Sequence, residues 1–72
     1  MISQADKKKI VNVGLRIRKL RLKTGLTQGQ LAFECGIELS QISRIERGVI
    51  NTSITTVYKI AEVLEISVKE LF

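Results

Sequence analysis

The 72-residue sequence predicts an all-α protein, a compact bundle of five short helices, and three features lead there. There is no proline and there are only five glycines, so few positions force the chain out of regular structure. No stretch alternates apolar and polar residues long enough to make a half-buried strand. Apolar residues instead recur three and four apart, in runs separated by glycine and by Ser or Thr in capping positions. A chain of this length supports one core, so residues 1–72 are read as a single domain, with residues 1–8 as a frayed basic arm.

The elements follow in order. Ile10, Val13, Ile17 and Leu20 share one face of a first helix from near Asp6 to Thr24, which Gly25 ends. Val11, Leu15 and Leu22 are expected to widen that apolar face, while Arg16, Lys19 and Lys23 form a polar line facing water or phosphate. Thr27 and Gln30 make a capping box opening a second helix, Gln28 to Cys35, with Leu31, Ala32 and Cys35 inward and Gly36 making the tight turn. A third helix turns Ile37, Ile42 and Ile45 inward and stops at Gly48. Ser53 caps a fourth that buries Val57, Ile60, Ala61 and Leu64, with Ile54 at its start. Ser67 and Glu70 make a second capping box for a last helical turn, whose Leu71 and Phe72 close the core or a dimer seam.

Charge is unevenly spread. Residues 1–24 carry eight Lys or Arg against Asp6 alone, whereas residues 25–72 carry four against six Glu. One basic face for a polyanion follows, with nucleic acid ahead of an anionic membrane. A single cysteine and no histidine argue against a disulfide framework, a structural metal or a cofactor, and fit a reducing cytoplasm. Cys35 reads as a small buried apolar residue. No segment has the apolar run of a signal peptide or membrane span.

Two short helices joined by a glycine turn, with a small residue where they cross, make a helix-turn-helix unit. Ala32 supplies the small residue. An α-helix matches the width of the B-DNA major groove, so the outer helix of such a pair can present side chains to base edges. Without that context Ser43 and Arg44 are an ordinary solvated face; with it the balance turns for Arg44.

Leu26-Thr-Gln-Gly-Gln-Leu-Ala32, Cys35-Gly-Ile37 and Ile42-Ser-Arg-Ile-Glu-Arg-Gly48 resemble the phage repressor and Cro type (XRE-like) of bacterial helix-turn-helix regulator. The resemblance extends through Asn51, Ser53, Lys59-Ile60-Ala61 and Ser67-Val-Lys-Glu-Leu-Phe72. In length and in the Asn51-to-Ile54 junction the chain is also similar to the controller proteins of restriction-modification systems. The resemblance implies a lambda-repressor-like bundle of five helices, with the third in the major groove of double-stranded DNA and a homodimer on a palindromic operator. It implies base reading by Glu38, Leu39, Ser40, Ser43 and above all Arg44, whose guanidinium suits guanine. Phosphate contacts fall to Gln28, Arg47 and Asn51, with Arg18 and Lys19 extending the basic rim. Arg21 and Glu46 are implied to form a structural ion pair. Ile66, Val68, Leu71 and Phe72, with little else to cover them, are expected at the dimer interface.

Three positions depart from the family pattern. Glu38 stands where Ser or Thr usually caps the reading helix, Gly29 lies inside the second helix, and Glu65 replaces a common glycine. The leading function is a cytoplasmic transcriptional regulator without a small-molecule ligand. The alternative is an antitoxin or other protein-interaction module that also binds DNA. A membrane-binding first helix is a further reading, and an enzyme is disfavoured because no nucleophile and base can be paired.

Overall fold

The computed structural model describes residues 3–72 and contains four α-helices: α1 (Gln4–Thr24), α2 (Gln28–Cys35), α3 (Leu39–Arg47) and α4 (Ile54–Leu64). The expected fifth helix is a single 3-10 turn, Val68–Leu71. Glu65 ends α4 in the left-handed conformation (φ 56°), and the backbone N–H of Ser67 then donates to Glu70 Oε2 at 2.9 Å. The four residues that follow form one tight i to i+3 turn, with Glu70 N–H on the Ser67 carbonyl and Phe72 N–H on that of Lys69.

α1 begins at Gln4, earlier than expected, because Ser3 Oγ accepts from the Asp6 backbone N–H at 3.1 Å and satisfies an orphan donor of the first turn. Residues 4–8, assigned by sequence to a frayed arm, are therefore helical; Met1 and Ile2 lie outside the described residues. α2 carries the full capping box, Gln30 N–H to Thr27 Oγ1 at 3.0 Å and Thr27 N–H to Gln30 Oε1 at 2.8 Å.

α1 packs against α3, α4 and the 3-10 turn, while α2 packs against α3 and α4. The core between them is Ile17 of α1, Leu31, Ala32 and Cys35 of α2, Ile42 and Ile45 of α3, and Val57, Ile60, Ala61 and Leu64 of α4, closed by Leu71. Each large aliphatic among them contributes about 1.5–3 kcal/mol relative to exposure. Val11, Leu15 and Leu22 do not widen the buried face of α1: all three are exposed, as is Ile54 at the start of α4. Val11 and Leu15 instead border the open space between α1, the start of α2 and the end of α3.

Two glycines set how closely α1 and α3 approach. A Cβ on Gly14 would collide with the carbonyl oxygen of Ile45 and stand 2.9 Å from that of Glu46, so α1 crosses the end of α3 backbone against backbone. Gly48 ends α3 with φ 70°, and a side chain there would also meet Val11 Cα at 2.8 Å.

Candidate nucleic-acid interface

α3 is divided by its packing into two faces. Ile42, Ile45 and Glu46 are buried; Leu39, Ser40, Arg44 and Arg47 are exposed, with Ser43 half-buried between the faces. Glu38 holds the N-cap position in extended backbone and its exposed carboxylate makes no cap hydrogen bond; the Gln41 N–H donates to the Glu38 backbone carbonyl at 3.0 Å instead. Arg44 is exposed and is outside the one salt bridge among the described residues.

Beside this face lies an open cleft of about 750 Å³, walled by Val11, Leu15 and Arg18 of α1, by Thr27, Gln28 and Gly29 at the start of α2, and by Ser43 and Arg47 of α3. The α2 capping box uses the Gln30 N–H and leaves those of Gln28 and Gly29 without an intrahelical partner. The helix N-terminus and two arginines from different helices thus bring positive potential to one hollow, a geometry suited to a phosphate oxygen. Arg47 is steadied by its Nε–H on the Ser43 carbonyl at 3.3 Å.

Under the cleft sits a buried polar network. Arg21 donates from Nε to Glu46 Oε2 at 2.6 Å, from Nη2 to Glu46 Oε1 at 3.0 Å, and from Nη1 to the Leu26 carbonyl at 2.8 Å. Gln28 Nε2 donates to the same Glu46 Oε1 at 3.0 Å. The hydrogen bonds to Glu46 hold the Arg21 guanidinium above its ordinary pKa, against the opposing effect of burial. Among the described residues every buried side-chain polar atom is satisfied. Cys35 is buried and its thiol is pushed above the usual range, by burial first, with Lys59 opposing and Glu34 adding.

The phosphate-contacting residues expected from sequence do not all gather here. Arg18, Gln28 and Arg47 line the cleft, but Lys19 lines a separate one with Arg16, Lys23 and Glu70. Asn51 lies in the loop after α3, on the rim of a third hollow of about 550 Å³ that includes Lys9, Ile10, Val13, Ile54 and Phe72. The residues expected at a dimer seam also divide. Leu71 is 0% exposed and belongs to the monomer core, Ile66 and Val68 are half-buried against that core, and only Phe72 is open, at 62%. Of the two places expected for Leu71, core or dimer seam, it takes the core, because the 3-10 turn packs between α1 and α4. Ile54 and Tyr58, one helical turn apart on α4, are exposed as well; of the readings open to Tyr58 from sequence, core or interface, burial in the monomer core is ruled out. The Gln28–Glu46 contact and the Gly14 crossing were missed too; an isolated glycine inside a strong helical pattern was the available signal for the second.

Three comparisons bear on this geometry. Control protein C.BamHI of Bacillus amyloliquefaciens is 41% identical over 59 residues, covering 81% of this chain and 73% of that protein. The crystal structure of the restriction-modification controller protein C.AhdI from Aeromonas hydrophila superimposes with a TM-score of 0.87 at 40% identity, covering 90% of this chain and 98% of that one. SinR, a master regulator for biofilm formation solved in complex with DNA, gives a TM-score of 0.78 at 37% identity, covering 82% and 95%. Residues 17–71, from the core of α1 through the 3-10 turn, match the helix-turn-helix family HTH_3, and the chain belongs to that family.

Proposed function

We propose that this protein is a transcriptional regulator that binds double-stranded DNA sequence-specifically as a homodimer, with α3 in the major groove of each half of a palindromic operator. The observation that carries the reading is the exposed face of α3, bearing an unpaired Arg44, set beside a cleft where Arg18, Arg47 and the α2 N-terminus converge. Arg44 bonds guanine O6 and N7 together, Ser40 and Ser43 bond bases or phosphates, and Leu39 packs on a thymine methyl. Glu38 accepts from a cytosine amino group at the first turn. Gln28, Arg18 and Arg47 hold the phosphate backbone, with Asn51 contacting it farther along; these contacts fix register without carrying sequence information. SinR, solved with DNA, the restriction-modification controller protein C.AhdI and control protein C.BamHI support a regulator of this kind. The family's regulatory relatives and the lack of histidine speak against an enzyme. The place of action is the cytoplasm, and no helix among the described residues is long and apolar enough to cross a membrane.

Selection of bound sequences from a random duplex pool tests the reading. It should return one palindrome with half-sites about 34 Å apart, bound less tightly as salt rises. Arg44→Ala should weaken that site by about 1–3 kcal/mol and relax preference at one base pair per half-site. A pool that returns no enriched motif overturns the proposal.

A further inference from the structure

The buried ion pair between α1 and α3 does not end at its two partners. Glu46 Oε1 accepts from both Arg21 Nη2 and Gln28 Nε2, each at 3.0 Å, so a side chain of the cleft is tied to a carboxylate that is only 4% exposed. A carboxylate accepts and does not donate, so the Gln28 amide must turn its NH₂ toward Glu46. One N–H is then held by Glu46 and the second is left for a ligand. A glutamine without this tether would have to give up several rotamers on binding, and Gln28 has already done so. Glu46 is itself fixed from two sides: Arg21 grips both carboxylate oxygens, and α1 closes on the Glu46 backbone carbonyl at Gly14.

We infer that Glu46, braced by Arg21, is a positioning residue that pre-orients the Gln28 amide for a DNA phosphate; this rests on the phosphate-contacting role proposed for Gln28 above. The ion pair thus links the body of the bundle to the DNA-facing cleft, in addition to joining α1 and α3.

The test is a cycle between Gln28→Ala and the double replacement Arg21→Met with Glu46→Met, which exchanges the pair for apolar side chains of similar length, a change that buried ion pairs often tolerate. Against the selected operator, Gln28→Ala in the otherwise unchanged protein should weaken binding about tenfold, the scale of one hydrogen bond to a charged group. The double methionine variant should lose a similar factor, and adding Gln28→Ala to it should cost less than about twofold. A Gln28→Ala effect that is absent, or equal in both backgrounds, overturns the inference.

A second measurement needs neither DNA nor the double variant. In the free protein, side-chain amide relaxation should show the Gln28 NH₂ nearly as rigid as the backbone, and the exposed Gln41 NH₂ mobile. A Gln28 amide as mobile as that of Gln41 overturns the tether. If the protein binds no operator, the DNA-binding proposal falls, while the relaxation result still decides whether Glu46 holds Gln28.

Discussion

Gly14 and Gly29 are both helical glycines, and their surroundings give them opposite roles. In an exposed helix, Ala is more favourable than Gly by about 1 kcal/mol. At Gly14 that gain is outweighed, because a Cβ would strike the Ile45 carbonyl oxygen, and a backbone at the end of a packed helix cannot turn away as a flexible side chain can. Gly14→Ala should therefore lose about 1–3 kcal/mol net in urea denaturation, as overpacked sites do. At Gly29 the nearest atom to a new Cβ is Thr27 Oγ1 at 3.9 Å, so Gly29→Ala should gain about 0.5–1 kcal/mol. The added methyl would stand beside free backbone N–H groups in the cleft, so the same variant should bind the operator more weakly. Stability and affinity moving together at Gly29 would show that the α2 N-terminus does not approach a phosphate.

At the level of elements, α2 and α3 illustrate what the sequence makes legible. The limits of α2 and α3 could be read from Thr27, Gln30, Gly36 and Gly48 because capping and left-handed turns are local chemistry. The second apolar stripe on α1 was misread: periodicity shows which residues share a face, but not whether another helix covers it, and nothing covers Leu15 or Leu22. Arg18 and Lys19 were grouped although adjacent residues point about 100° apart around a helix, and they line separate clefts. The Gln28–Glu46 contact spans 18 positions and leaves no mark in any local pattern. Glu38 could be read as a departure from the usual cap, and the structure leaves it without a cap hydrogen bond. Glu38→Ser should therefore stabilise α3 by about 0.5–1 kcal/mol through a hydroxyl that shares the Gln41 N–H with the residue 38 carbonyl, somewhat offset by loss of a negative charge at the helix start. Thermal unfolding checks the gain. Repeating the site selection with this variant should broaden the preference at one base pair per half-site; an unchanged motif would reduce Glu38 to a weak cap with no part in reading.

Considered as a whole molecule, the described chain has a radius of gyration of 11.3 Å, close to the roughly 11 Å expected of a compact domain of this size. It nevertheless leaves Ile54 and Phe72 exposed beside a hollow walled by Ile10, Val13, Ile45, Ile50 and Val57, with Tyr58 exposed one helical turn from Ile54. A two-fold interface has to be self-complementary, and a patch that carries both projecting side chains and a hollow meets that requirement with a second copy of itself. The proposed dimer seam therefore runs through Ile54, Tyr58 and Phe72, with Leu71 behind it in the core. The two sets of residues predict different failures. Ile54→Lys with Phe72→Lys changes side chains that are 61% and 62% exposed, so the fold should survive, sedimentation should return a monomer, and the melting temperature should lose its dependence on protein concentration. Operator affinity should drop by about a hundredfold or more, because each half-site is then bound without help from the other. Leu71→Ala should instead remove about 2–5 kcal/mol of stability by opening a cavity. That is a large share of the roughly 4–11 kcal/mol a domain of this length has in total, so unfolding precedes any effect on association. A double lysine variant that still sediments as a dimer would move the seam to another face of the bundle. One that unfolds would show that these side chains support the monomer fold.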